Sequence, residues 1–385
     1  MEPPDVGDAH RRPGMVRLLS GLRLSVTQRA QSMIPLRKIP MKGWGRLTRA
    51  EWFTQNLWFL AGIPAARVGY GRGWLTTSRL KRHRRLERPI RIALLEYHTG
   101  EPHFGPITAY WINERSRICT AAVNQGIERA DVLWIYSQDP LTPGVRERIQ
   151  VAVAGARSDV RILNAPDHYN AYHDDGCFER LEAAGVSVPD RGFGEADLGR
   201  TPVIYKMTGL QAAPKTLETW QGPRPGYQAF RFIDSRETDG LYRRYRTFYF
   251  VGAVRPSKLM ICEHWNVCLK NRPRLEIGFE MTRDEIRQVR LIAETLGLDY
   301  FAVDYLRRRD DGRAFFTDVN VYPTITSLSK TGRERGYYGM WHTFDTRPRL
   351  GVPEPGGRPF NEVFDDALRH FVDRKRFPDD PDALN

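Results

Sequence analysis

Residues 299–323 read DYFAVDYLRRRDDGRAFFTDVNVYP, and the way this stretch alternates decides the fold. Phe301, Val303 and Tyr305 alternate with Ala302, Asp304 and Leu306. Asp310-Asp311-Gly312 breaks the run, and alternation resumes from Phe315 to Val321. Period-two patterning on both sides of an Asp-Gly turn predicts a β-hairpin. Side chains two residues apart share a face of a strand, so Asp318 and Asn320 point the same way, and pairing across the turn brings Asp304 near them. Three oxygen donors on one face suit Mg²⁺, a hard cation that takes carboxylate and amide oxygens together with water and phosphates. The same pattern also describes a solvated hairpin with its polar residues outward, so the rest of the chain must decide.

Upstream, Thr282 to Thr295 predicts a helix: Thr282 can cap it, Glu285 stands at the third helical position, Ile286, Val289, Ile292 and Ala293 form an apolar stripe, and Gly297 ends it. Three strands precede it: Pro202 to Lys206, ending in a lysine; Gly226 to Ile233; and Tyr245 to Val254, with Gly252-Ala253 as its turn. Earlier still the pattern is different. Ile90 to Glu96, Asp131 to Ser137 and Val160 to Leu163 read as buried strands. Ala109 to Arg129 and Leu141 to Ala156 read as helices between them, the second led by Thr142-Pro143. Alternating β and α imply a small parallel sheet with helices on its faces. A short helix over Phe178 to Ala184 and a final one over Asn361 to Lys375 complete the expectation of an α/β region followed by an α+β region.

The chain of 385 residues carries a net charge of +13. Residues 1–90 hold 18 Lys and Arg against 5 Asp and Glu, so the whole excess lies in that region. A protein that binds nucleic acid through its folded domains would spread its basic footprint over them. A basic arm that docks on an acidic partner, a membrane surface or RNA remains compatible with this distribution. No apolar run reaches the length of a membrane-spanning helix. The four cysteines form no C-x-x-C pair and no apolar signal peptide opens the chain, which predicts reduced thiols and a cytoplasmic protein. No G-x-S-x-G or H-x-x-x-H motif supports a serine or metal hydrolase.

A strand-end lysine (Lys206), an arginine-dense strand start (Arg243, Arg244, Arg246) and the Asp304, Asp318, Asn320 hairpin follow in order. Lysine and arginine neutralise phosphate charge, and acidic and amide oxygens hold Mg²⁺ across phosphates. Together they supply what phosphoryl transfer needs, which is mostly positioning and charge stabilisation.

Residues of about 160 to 325 resemble the ATP-grasp superfamily, in particular its carboxylate–amine ligases. The resemblance rests on NAPDHYNAYHDDGCFERLEAAGVSVP (164–189), PVIYK (202–206), FRFIDSRETDGLYRRYRTFYFVG (230–252), and AVDYL followed by TDVNVYP. It implies ATP and Mg²⁺ as cofactors, with Asp304, Asp318 and Asn320 as metal ligands and Lys206 on the ATP phosphates. It further implies Arg243 or Arg246 as the catalytic arginine on the transferring phosphoryl, Gly209 in the phosphate loop, and Phe230, Phe232 and Ile233 at the adenine-side hinge. The loop MTGLQAAPKT is glycine-poor for this family, and Arg231 stands where a carboxylate is common.

The implied organisation is a basic extension (1–88), a small parallel α/β domain (89–189), an ATP-grasp domain (190–330) and a tail with one helix (331–385). The implied activity is ligation of a small-molecule or peptide carboxylate to an amine or thiol through an acyl phosphate. A nucleotide-binding module without turnover, and a kinase on the same fold, are the alternatives, and a homo-oligomer is left open. His98 and His103, in the loop after the first strand, are further candidates for acceptor binding.

Overall fold

The computed structural model describes residues 89–97, 108, 109, 112, 116–137, 139–207, 215–268, 271, 273–277, 279–323 and 360–373. The basic extension, Gly209, His98 and His103 lie outside them.

Three sheets make up the described part of the chain, a mixed α/β and α+β architecture. The first is parallel, with strands β1 (Ile90–Leu95), β2 (Cys119–Val123), β3 (Val132–Ile135) and β4 (Arg161–Leu163) in the order β2-β1-β3-β4. Ile92, Ala93, Leu94 and Leu95 are all fully buried, as a strand covered on both faces requires. Helix α1 (Pro143–Ala154) lies between β3 and β4, with Thr142 as its N-cap residue and Pro143 in its first turn. The helix expected over 109–129 is corrected: Cys119–Val123 is a strand that pairs in parallel with β1. Its small residues, Cys119, Ala121 and Ala122, are buried against the sheet. The break comes at Ser116, whose Oγ accepts from the backbone N–H groups of Ile118 and Cys119 and donates to Asp365.

After the short helix α2 (Cys177–Ala183), strands β5 (Pro202–Met207), β6 (Lys215–Thr219) and β7 (Tyr227–Arg231) form an antiparallel sheet in the order β6-β5-β7. The third sheet, also antiparallel, joins β8 (Tyr242–Phe250), β9 (Ala253–Cys262), β10 (Arg274–Ile277), β11 (Tyr300–Arg307) and β12 (Ala314–Asn320) in the order β10-β9-β8-β11-β12. The opening stretch is the β11/β12 hairpin. The strand expected over 245–254 is two: β8 ends at Phe250, and β9 starts at Ala253.

Helix α3 (Arg283–Leu296) forms as its sequence dictates. Thr282 Oγ1 accepts from Glu285 N at 3.1 Å and Glu285 Oε2 from Thr282 N at 2.9 Å, while Gly297 closes the helix at φ 64°, a conformation glycine adopts without strain. Val289, Ile292, Ala293 and Leu296 share a core with Phe301, Val303, Tyr305, Val319 and Val321, so α3 covers one face of the large sheet. The opposite face splits. Phe248, Phe250, Tyr300 and Ala302 pack on Trp134 and Tyr136 of the parallel layer and on helix α4 (Phe360–Val372). Asn164, at the end of β4, stitches the two layers together: its Oδ1 accepts from Asp299 N and Tyr300 N, both at 2.9 Å, and its Nδ2 donates to Tyr300 O at 2.7 Å. Next to them that face carries a polar stretch around Arg246, Asp304 and Asp318, bounded by the small cluster of Met260, Cys262 and Tyr242.

Candidate functional site

The polar stretch carries a cross-strand row. Lys258, Arg246, Asp304 and Asp318 occupy directly opposed positions on β9, β8, β11 and β12, and opposed residues in a sheet share a face. Asp304 is 1% exposed. Arg246 donates to it through Nε at 2.6 Å and Nη2 at 2.7 Å, and Arg244, two residues earlier on the same face, reaches it at 3.6 Å. Burial alone would raise the Asp304 carboxyl, but the Arg246 and Arg244 guanidiniums override it and hold it well below the usual carboxylate range.

The small sheet stands across a cleft from this row. Val203 and Tyr205 are buried beside Trp220, which turns Ile204 and Lys206 to the other face. Lys206 Nζ lies 3.5 Å from Asp318 Oδ1. Lys215 is paired directly opposite Lys206. Burial lowers its pKa, and Lys206 adds to that, against the pull of Asp318. Two like charges opposed across a strand pair are destabilising, an arrangement that favours an anion between them. Phe230 is paired opposite Ile204, so an apolar surface lies next to the lysines. Behind it, Phe230, Phe178 and Tyr172 make edge contacts at 5.0 and 5.8 Å, and Tyr172 donates its hydroxyl to Asp318 Oδ1 at 3.3 Å.

Lys206, Asp318, Asn320, Asp304 and Arg246 thus come together from four strands. Arg243 does not. It has the opposite strand parity and is buried on the far side, paired with Asp239 at 2.8 Å and Glu237 at 3.0 Å. Arg243 thus stands apart from the row that holds Arg246, and Arg244 is the neighbouring arginine that reaches Asp304. At the hinge, Ile233 and Phe230 are both buried and the Phe232 amide donates to Pro202 O at 3.0 Å; Phe230, paired opposite Ile204, lies two positions along the ladder from the Lys206 pair.

Sequence reasoning missed Lys215, Lys258 and Tyr172, and named Arg244 only within the arginine run, although its parity with Arg246 puts the two on one face. Lys258 was not findable, because the strand that presents it, broken by Pro256, has no clean period. Burial pulls Lys258 down to about 7, with Arg246 adding to the effect and Asp304 opposing it.

For Mg²⁺ the donor set fits in part. Asp318, with its side chain 30% exposed, and partly exposed Asn320 have oxygens open to the cleft. Asp304 does not fit, since both of its oxygens accept from Arg246. Among the described residues no group of three or more His, Cys, Asp and Glu side chains could hold a metal ion, and no helix is long and apolar enough to cross a membrane.

No protein-family model and no curated protein matches the chain. Solved structures that are similar include the ATP-grasp ligase PsnB complexed with a phosphomimetic variant of minimal precursor, Mg and ADP. It is 12% identical, covers 73% of this chain and 98% of its own, and has a TM-score of 0.45. Macrocyclase MdnC, bound with precursor peptide MdnA from Microcystis aeruginosa MRC, is 10% identical over 60% of this chain and 92% of its own, at 0.43. D-alanine–D-alanine ligase from Bacillus anthracis, complexed with ATP, is 12% identical over 67% and 95%, at 0.39.

Proposed function

We propose that this chain is an ATP- and Mg²⁺-dependent ligase that activates a carboxylate as an acyl phosphate and joins it to an amine, with residues 190–330 as the nucleotide-binding unit. The observation that carries this reading is the convergence of Lys206, Lys215, Arg244, Arg246 and Lys258 on the two carboxylates Asp304 and Asp318 across one cleft. Such a surplus of cations matches a polyphosphate, and Ile204 and Phe230 supply an apolar surface for a base beside it.

In this reading Lys206 and Lys215 hold the α- and β-phosphates from the small sheet. Asp304 fixes the plane of Arg246 through Nε and Nη2, which leaves Nη1 to meet the transferring phosphoryl, with Arg244 beside it. Mg²⁺ held by Asp318 and Asn320 would neutralise charge on the phosphates and orient the γ-phosphoryl group. No nucleophilic side chain is needed, because the substrate carboxylate attacks. The test is ADP release on mixing the protein with ATP, Mg²⁺ and a pool of amino acids and short peptides. Intact ATP binding with no ADP above background from any mixture refutes the ligase reading.

A further inference from the structure

A histidine outside the phosphate cleft is built as a proton acceptor. Asp139 lies just past the carboxyl end of β3, the end at which open α/β sheets receive ligands. Its side chain is 2% exposed, and its Oδ1 sits 2.7 Å from His173 Nε2. The other oxygen, Oδ2, accepts from Val321 N at 3.3 Å, and Val321 directly follows Asn320. One buried carboxylate therefore ties His173 to the strand end that presents Asp318 and Asn320. The preceding residue, Tyr172, reaches Asp318 with its hydroxyl and sets its ring edge-on to His173 at 5.5 Å. The His173 backbone is fixed too, its N–H donating to Asn170 O at 2.7 Å.

A carboxylate can only accept, so Nε2 carries the ring proton and Nδ1 is the acceptor, without a partner among the described residues. The imidazole is 25% exposed, open enough to meet a substrate and too enclosed to turn freely. We infer that His173, oriented by Asp139, takes the proton from the amine that attacks the acyl phosphate; the inference rests on the ligase reading. An alkyl amine reaches a neutral site as its ammonium and is no nucleophile until that proton leaves. As the nitrogen forms its bond to the acyl carbon, the carbon–oxygen bond to phosphate breaks. The ammonium proton has by then passed to Nδ1; the electron pair departs on inorganic phosphate, which takes the second proton that the nitrogen sheds as the amide forms.

The experiment separates amine activation from carboxylate activation. Wild type, H173Q and D139N are each given ATP, Mg²⁺ and the pool of amino acids and short peptides. Each runs once with the pool's own amines as acceptors and once with hydroxylamine, a far weaker base that is already unprotonated at neutral pH. Amide is read by mass spectrometry, hydroxamate by its iron complex, and fold by the melting temperature. H173Q is expected to lose amide formation by about 100-fold or more, the range of a general base, while forming hydroxamate at the wild-type rate. D139N, which holds the ring less firmly, should lose less of the former and none of the latter. Equal loss of both products in H173Q, or loss of neither, overturns the assignment and leaves His173 a structural clamp. A wild type that forms neither product refutes the ligase reading itself, a result distinct from either of these.

Discussion

Arg246 and Asp304 face each other from directly opposed positions on neighbouring strands, and the guanidinium closes on both carboxylate oxygens at 2.6 and 2.7 Å. Removing the carboxylate in Asp304→Ala strands a largely buried cation, and breaking such a pair costs about 3–5 kcal/mol. Urea unfolding followed by tryptophan fluorescence should show the loss, with a smaller one in Asp304→Asn. The folded carboxyl titrates below its unfolded value. Its contribution is thus complete above the unfolded carboxylate pKa of about 4 and drains away as pH falls toward the folded value. The gap in unfolding free energy between wild type and Asp304→Asn should be constant from about pH 5 to 8 and narrow below about pH 4.

Metal dependence should divide the three hairpin residues. Asp318→Asn and Asn320→Ala each remove an open oxygen donor, and a loss of about 2 kcal/mol is more than tenfold in affinity. Mn²⁺ binding in the presence of a non-hydrolysable ATP analogue, read by electron paramagnetic resonance, should weaken by that much in both variants. Asp304→Asn should leave it close to wild type.

Nucleotide binding should be coupled to protons through Lys258. In the free protein its ammonium is lowered to about 7, so above that pH it is largely neutral. Phosphates in the cleft favour the charged form. ATP binding should therefore take up protons between about pH 7 and 9, and affinity should fall as pH rises through that window. Calorimetry in two buffers of different ionisation enthalpy measures the uptake, and Lys258→Met should abolish it.

Arg243 and Arg244 are adjacent in sequence and should behave oppositely. Arg244→Met removes a cation from the cleft and should raise the KM for ATP by roughly tenfold, the worth of about 1.4 kcal/mol. Arg243→Met unpairs Glu237 and Asp239 on the far side of the sheet. It should lower the melting temperature while leaving that KM unchanged.

What was legible in the sequence was whatever a short period encodes. The hairpin, the capped helix α3 and the three hydrophobic strands of the parallel sheet each announce themselves within a dozen residues. Lys206 was visible because it closes an apolar strand, and Asp318 and Asn320 because they share a strand face. Opposed pairs were not visible. Lys215 meets Lys206 only once β6 forms, and Lys258 joins Arg246 only because β9 folds back with a shifted register after Arg246. His173 and Asp139 lie 34 residues apart, and nothing local links them. Arg243 could not be told from its neighbours because three arginines in four positions hide the alternation that sends one of them to the other face.

Helix α4 sets a clock on folding. Val363, Phe364, Ala367 and Leu368 complete the core beneath Trp134 and Phe250, and Asp365 holds Ser116 from 249 positions away. At ribosomal rates of about 5–20 residues per second, that separation leaves Ser116 without Asp365 and the core beneath Trp134 incomplete for roughly 12 to 50 seconds of synthesis. The early strands are therefore made long before α4, and their shared core closes only when that helix has been synthesised.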